Sequence, residues 1–305
     1  YIPVALGLMS FVGVWIMREE IDIPINLLSL SVADTVSHYV FATVPLFALM
    51  GFLVSKAGLG RDIYDVANAV FYKIRGGLGI ATVAANAIFA SVTGSSIASA
   101  SVFTRISVPE MRRFGYGKRF SVGVVAGSSV LGMLIPPSAM LIIYAIVAEQ
   151  SVGHMFIAGI IPGLLLAVAY AVAILLMAII VPKFVGGNAD ASEGDESWRN
   201  LTLLDMGAKI FPIVLLVVVV LGGIYGGVVT PTEAGATGSL IALLIAIFKR
   251  RMSWKDLWEV LVETGHITAT ILFLLTAASM YSRMLGVASL PSQFGEWLPA
   301  RGLWS

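Results

Sequence analysis

No cysteine occurs in the 305 residues. A disulfide framework, a zinc–thiolate centre and an iron–sulfur site are therefore excluded. Charge is scarce: 12% of residues are charged, about half of what a soluble domain carries. The net charge of +1 gives no electrostatic case for nucleic acid. Only three histidines are present, His38, His154 and His266. Each stands near the edge of an apolar run, so they are not spaced as metal ligands and interfacial placement is expected. The first residues, "YIPVALGLMSF", hold no initiator methionine and no basic stretch. They read as a fragment already inside its first helix rather than as a signal peptide.

Apolar sequence is what remains: 58% of residues are hydrophobic. Residues 156–181, 210–229, 234–248 and 267–285 form runs near the roughly 20 residues that a helix needs to cross a bilayer. The alternating pattern of a membrane barrel is absent, so the spans are helical. The fold class expected is an all-α polytopic membrane protein. Its basic residues cluster. Lys56, Arg61, Lys73 and Arg75 form one group; Arg105, Arg112, Arg113, Lys118 and Arg119 a second; Lys183, Arg199 and Lys209 a third; Lys249, Arg250, Arg251 and Lys255 a fourth. Only Arg18, Arg283 and Arg301 fall elsewhere. The positive-inside bias places the four groups in the cytoplasm, and residues 18–38, 149–154 and 225–233 outside.

That assignment puts both ends of residues 76–111 on one side. As a single helix this stretch would be about 54 Å long, against a hydrocarbon core of about 30 Å. Its middle reads "SVTGSSIASAS", a polar, glycine-broken stretch in an apolar chain. The economical solution is a re-entrant hairpin: a helix over 78–92, a turn at 93–96 and a returning helix over 97–111. Irregular backbone at membrane depth is tolerated only inside protein or beside a watery cavity. Residues 118–148 repeat the theme with "GMLIPPSA" at their centre. Pro136 and Pro137 remove two backbone donors. The helix is expected to break at 134–136 and to restart with Pro137 in its first turn. The two breaks are expected to meet at similar depth.

A broken helix exposes carbonyls at the end of its first half and N–H groups at the start of its second. Carbonyl ends suit a cation such as sodium; N–H ends suit a carboxylate. The candidate sodium ligands are the carbonyls of Ser91, Thr93, Gly94, Leu134 and Ile135, with the hydroxyls of Ser95, Ser96 or Ser138. The candidate substrate contacts are Ser95, Pro137 and Ser138, with the N–H groups of Ser96, Ile97, Ala98, Ser138 and Ala139. Discontinuous helices of this kind point to a secondary transporter. Close packing of small residues or a plain proline kink is the competing reading of either motif alone. The same-side argument and the second break favour a site.

Other motifs read more simply. In "TPTEAGA", Thr230 is expected as an N-cap, Pro231 as the first helical residue and Glu233 as its capping-box partner. Arg105, inside the returning hairpin helix, is expected to snorkel to the cytoplasmic surface, with a substrate role as the alternative. Residues 186–200 read as an acidic, flexible linker. Residues 61–75 and 253–264 carry apolar faces at helical spacing and are expected to lie in the interface. Two rivals come from other classes. An intramembrane serine hydrolase is suggested by glycine-flanked serines in "GSSI" and "GSSV", yet no histidine or lysine stands in an interior stretch to act as base. A passive channel needs a continuous polar face rather than localised breaks.

Four stretches carry a family resemblance: "GSSIASA", "RRFGYGKRFSVGVVAGSSVLGMLIPPSAMLIIYAI", "FIAGIIPGLLLA" and "LGGIYGGVVTPTEAGATGSL". They resemble, in order and over nearly the whole chain, the large membrane (M) subunit of tripartite ATP-independent periplasmic (TRAP) transporters. The resemblance implies sodium-coupled import of an organic acid, such as a C4-dicarboxylate or sialic acid, across the bacterial inner membrane by an elevator motion, with Na+ as coupling ion. The same coupling without a binding protein is the alternative. It also implies a periplasmic substrate-binding protein and a small membrane (Q) subunit, separate or fused, as partners. The family has two inverted repeats, each with a hairpin followed by a broken helix. On that plan residues 1–182 are the first repeat, with arm 61–75, hairpin 76–111, broken helix 118–148 and following span 155–181. Residues 183–209 are the linker. Residues 210–305 begin the second repeat without its hairpin and broken helix, so a C-terminally truncated subunit is expected.

Overall fold

A computed structural model describes residues 2–37, 39–186 and 201–300. The chain is an all-α polytopic membrane protein. The helices are α1 (Ile2–Arg18), α2 (Asp22–Ser37), α3 (Thr43–Lys56), α4 (Leu59–Phe71), α5 (Gly77–Thr93), α6 (Ser96–Arg113), α7 (Lys118–Ser129), α8 (Leu131–Leu134), α9 (Ala139–Val147), α10 (Val152–Ile180), α11 (Pro182–Val185), α12 (Leu203–Val217), α13 (Gly223–Tyr225), α14 (Pro231–Phe248), α15 (Trp254–Val287) and α16 (Leu290–Ala300). Among the described residues five helical stretches are long and apolar enough to cross a membrane. The count reaches six if the pair α7–α8 and α9, bent by 41°, is one span. The acidic linker over 187–200, and His38, lie outside the described residues.

The chain divides into two compact units, one of residues 1–41 with 265–305, the other of residues 42–264. In the first unit Arg283 is ion-paired with Asp34. Gly13 leaves room for Met284, whose sulfur would lie 2.8 Å from a Cβ at that position.

The second unit holds both helix breaks. Helices α3 and α14 run side by side in the same direction. Thr43 and Thr232 share a 2.7 Å hydroxyl bond at one end. Gly235 then admits Leu46 and Phe47, and Gly238 admits Met50. Both helices end in basic residues, Lys56 and Lys249, so their common direction agrees with the sidedness read from the charges. Helices α5 and α6 run antiparallel. Phe89 meets Phe103 edge-on at 5.5 Å, and the hydroxyls of Thr82 and Ser107 bond lower down. The hairpin's feet and the C-terminus of α10 share one end: a Cβ on Gly76 would lie 3.2 Å from Ala178. The loop after α6 is closed there by Gly117 N–H donating to Val185 O at 2.9 Å.

Ion pairs fix the arm α4 and its flank. Asp62 is buried and receives Lys249 and Arg251. Arg251 also donates to the carbonyls of Ala57 and Gly58 at 3.2 and 3.3 Å, closing the end of α3. Asp65 receives Lys209, and Lys56 donates to Glu259 at 2.8 Å. The arm starts after Gly58 and is followed by Gly76, both left-handed with φ of 70° and 74°, a conformation that glycine adopts without steric cost. The second expected arm, over 253–264, is not a separate element. It is the first part of the 34-residue α15. Gly265 sits within that helix rather than in a left-handed turn, and no proline intervenes, so nothing there stops it.

Three helix starts carry the same device. Thr202 with Asp205 and Thr230 with Glu233 form reciprocal capping boxes, and Ser253 with Asp256 makes the same pair of bonds. The expectation for "TPTEAGA" is met atom for atom: Thr230 N–H donates to the Glu233 carboxylate at 2.7 Å, and Glu233 N–H donates to Thr230 Oγ1 at 3.3 Å.

Candidate functional site: two helix breaks joined through glycine

Only Gly94 and Ser95 separate α5 from α6. Gly94 is left-handed at φ 58°, and its N–H closes α5 on Ala90 O at 3.0 Å. Ser95 is extended and caps α6, its Oγ accepting from Ala98 N–H at 3.3 Å. The hairpin is thus shorter at the tip than the expected four-residue turn. Serine is a preferred N-cap, so the second helix begins one residue earlier, at Ser96.

The second break spans Ile135 to Ser138. Helix α8 ends at Leu134; Ile135 and Ser138 are extended, and the Pro136–Pro137 bond is cis. Because Ser138 is extended and the helix starts at Ala139, Pro137 does not open the returning helix, contrary to the expectation from the sequence. Ser138 is the N-cap and Ala139 the first helical residue. The reason is local. A residue that precedes proline is pushed out of the helical region, which removes Ile135 and Pro136, while serine readily takes the extended cap conformation.

The two breaks touch. Ala139 N–H donates to Gly94 O at 3.2 Å. A Cβ on Gly94 would collide with the Pro137 carbonyl, and one on Gly132 would lie 2.9 Å from the Ser95 carbonyl carbon. Neighbouring helices close in the same way. A Cβ on Gly51 of α3 would lie 2.8 Å from Thr93 O; one on Gly159 of α10 would lie 2.7 Å from Leu134 O. Gly163, one helical turn on, leaves room for Ile135. Main chain meets main chain here because these five positions lack a side chain.

The individual candidates fall as follows. Ser91 and Thr93 spend their hydroxyl protons on Ile88 O at 2.7 Å and Phe89 O at 3.0 Å. Ser138, fully buried, donates to Met133 O at 2.7 Å. A hydroxyl that donates this way keeps oxygen lone pairs for a cation. Ser96 is half-buried. Ile97 is 73% exposed, so its side chain is turned away and only its backbone belongs to the tip. Two of the expected anion donors are already taken: Ala98 N–H by Ser95 and Ala139 N–H by Gly94. Those of Ser96, Ile97 and Ser138 have no partner among the described residues. Gly51, Gly159, Gly163 and the Met133 carbonyl were not among the sequence candidates. The four-residue spacing of Gly159 and Gly163 is the one signal that marks close helix approach in the sequence.

Neither glycine-flanked serine is set up as a nucleophile. Ser95 Oγ accepts from backbone. Ser128 is buried, donates to Val124 O at 2.7 Å and accepts from Asn86 Nδ2 at 2.6 Å. No base is bonded to either among the described residues, so the pair required for nucleophilic catalysis is missing.

Discontinuous helices whose breaks meet inside a helical membrane protein are a feature of secondary transporters. Comparison with known proteins gives the particular kind. The family model described as "Tripartite ATP-independent periplasmic transporter, DctM component" matches residues 1–303. The chain belongs to that family of transporter permeases and is not an enzyme. It is 34% identical to a C4-dicarboxylate TRAP transporter large permease protein of Pseudomonas aeruginosa, over 98% of this chain and 67% of the relative. It is 28% identical to a sialic acid TRAP transporter large permease protein of Vibrio cholerae, over 97% of this chain and 67% of the relative. An isethionate TRAP transporter permease protein of Oleidesulfovibrio alaskensis is also 28% identical, over 97% of this chain and 45% of the relative. The chain spans about two thirds of the length of the first two relatives.

Proposed function

We propose that the chain is the large membrane subunit of a sodium-coupled importer of an organic acid in the bacterial inner membrane. A C4-dicarboxylate or sialic acid is the solute class, a periplasmic binding protein delivers it, and a small membrane subunit, separate or fused, completes the assembly. Na+ binds among the carbonyls and hydroxyls of the joined breaks, and the solute's carboxylate meets the unpartnered N–H groups of Ser96, Ile97 and Ser138. The hairpin α5–α6 and the broken helix α7–α9 travel together as the moving part of an elevator. On this reading residues 1–182 are the first of two inverted repeats and residues 210–305 begin the second. The observation that carries the proposal is the hydrogen bond from Ala139 N–H to Gly94 O: it joins a carbonyl-rich helix end and an N–H-rich helix start at one point, which suits a cation and an anion bound side by side. The test is uptake of succinate and of sialic acid by the full-length transporter in proteoliposomes, titrated with sodium and with the binding protein. Uptake should rise with sodium and should need that protein. Uptake indifferent to sodium, or complete without the binding protein, contradicts the proposal.

A further inference from the structure

Helix α6 has two unlike faces. Ala98, Ser99, Phe103, Ser107 and Met111 are buried. Ile97, Ser101, Thr104 and Arg105 are exposed, and their spacing places them on one side of the helix. Between Ile97 and the half-buried Val108 that side is polar. On the spanning helix α10, by contrast, the outward residues include Ile161, Leu164, Leu165, Val168 and Val172. A stripe of two hydroxyls and a guanidinium does not belong against hydrocarbon, where an arginine is costly. Arg105 is in no ion pair among the described residues. The ion-paired cations there are Lys56, Arg113, Lys209, Lys249, Arg251 and Arg283.

Its position makes escape to the cytoplasmic surface awkward. Arg105 stands nine residues after Ser96 and eight before Arg113, about 14 Å from the tip and about 12 Å from the basic end. Side chains on a helix lean toward its N-terminus, and the N-terminus of α6 is the tip. That lean favours the tip over the cytoplasmic end as the direction of the side chain. Pro109, within α6, has no N–H, so the carbonyl of Arg105 loses its usual helical donor and needs another, such as water.

We infer that Arg105, with the hydroxyls of Ser101 and Thr104, is an anion-binding position that takes the carboxylate of the transported solute on the cytoplasmic side of the hairpin tip. This rests on the organic-acid reading above. An arginine fork matches a carboxylate in shape as well as charge, and the flanking hydroxyls supply two more donors. The position lies below the joined breaks, so it serves release toward the cytoplasm rather than capture.

No cysteine occurs in residues 1–305, so a direct test is available once any cysteine elsewhere in the full-length transporter is replaced by serine. Thr104→Cys is introduced into the full-length transporter in inside-out vesicles, alone and with Arg105→Gln. Labelling rates are measured with an anionic (sulfonatoethyl) and a cationic (trimethylammonioethyl) methanethiosulfonate. Both reagents should react, and the anionic-to-cationic rate ratio should fall at least about fivefold on Arg105→Gln, as one charge a few ångströms away in watery surroundings requires. The KM of succinate or sialic acid uptake should rise about tenfold in Arg105→Gln and less in Arg105→Lys. A Thr104→Cys thiol inert to both reagents, or a ratio indifferent to Arg105, overturns the inference while leaving organic-acid uptake intact. Labelling as expected, alongside wild-type vesicles that take up no organic acid, refutes the transport reading instead, and with it the assignment of a solute carboxylate to this position.

Discussion

Replacing Gly94 with alanine strikes the junction at its narrowest point. Two penalties combine. The residue is left-handed at φ 58°, which costs an L-residue about 1–2 kcal/mol. The added methyl also meets the Pro137 carbonyl, and overpacking of a tight site costs about 1–3 kcal/mol. The sum is roughly 2–5 kcal/mol, about a thirtyfold or greater shift away from the joined arrangement, since 1.4 kcal/mol is tenfold. Gly123→Ala is the control. A Cβ there meets nothing within 4 Å, and its helix α7 gains up to about 1 kcal/mol of propensity. The assay is thermal unfolding of the purified full-length transporter, paired with solute uptake by the same preparation under an imposed sodium gradient. Gly94→Ala should melt lower and lose most uptake; Gly123→Ala should match or exceed the wild type in melting. Equal behaviour of the two variants in both measurements would refute the view that the breaks are held together by close backbone approach.

Ser138→Ala leaves the Met133 carbonyl, which it bonds at 2.7 Å, without that donor; a buried acceptor left so costs about 1–3 kcal/mol. It should lower both thermal stability and apparent sodium affinity, the latter about tenfold or more, whereas Ser96→Ala should alter sodium dependence with little change in melting. Asp62→Asn abandons Lys249 and Arg251 beside a buried amide. Thermal melting should fall by more than in Asp65→Asn, whose single partner Lys209 stays partly in water. Thr230→Ala removes the hydroxyl that accepts from Glu233 N–H at the start of α14, a cap loss of about 0.5–2 kcal/mol. Amide hydrogen exchange in the first turn of α14 should quicken about two- to thirtyfold, while exchange at the middle of the helix stays unchanged; Thr230→Ser should restore the slow rate.

Much of the fold was legible because charge and breaks are local signals. The hairpin expected over 78–92 and 97–111 is observed as Gly77–Thr93 and Ser96–Arg113: the polar tip and the basic feet fixed it from both ends. The second break was placed one to two residues early, since the constraint a proline imposes on its predecessor acts twice in Ile135–Pro136–Pro137. The arm before α5 was visible, but its copy in residues 253–264 was drawn as a separate element because amphipathic spacing says nothing about where a helix stops. Gly58 and Gly265 look alike in sequence; only the first is left-handed. What the sequence hid was the partner of each break. Nothing in "MGFLVSK" announces that Gly51 will lie on the Thr93 carbonyl, for that pairing is set by which helices become neighbours. The occupied state of the Ala139 N–H was hidden for the same reason, whereas that of Ala98 N–H follows from the local Ser95 cap.

The joined breaks are built from glycine and main chain, and main chain is the same in every protein. The relatives described here are named for a C4-dicarboxylate, sialic acid and isethionate. Under the proposed function, a floor made of peptide groups offers partial charge of both signs to ion and solute but no side chain that identifies either. It also resists revision, because almost any substitution at Gly51, Gly94, Gly132 or Gly159 inserts an atom where another backbone already lies. Discrimination among solutes then falls to side chains rather than to this frame, and the outward Ser101, Thr104 and Arg105 of the hairpin are the candidates under the same proposal. Substitutions at those outward positions leave the glycine junction itself unaltered.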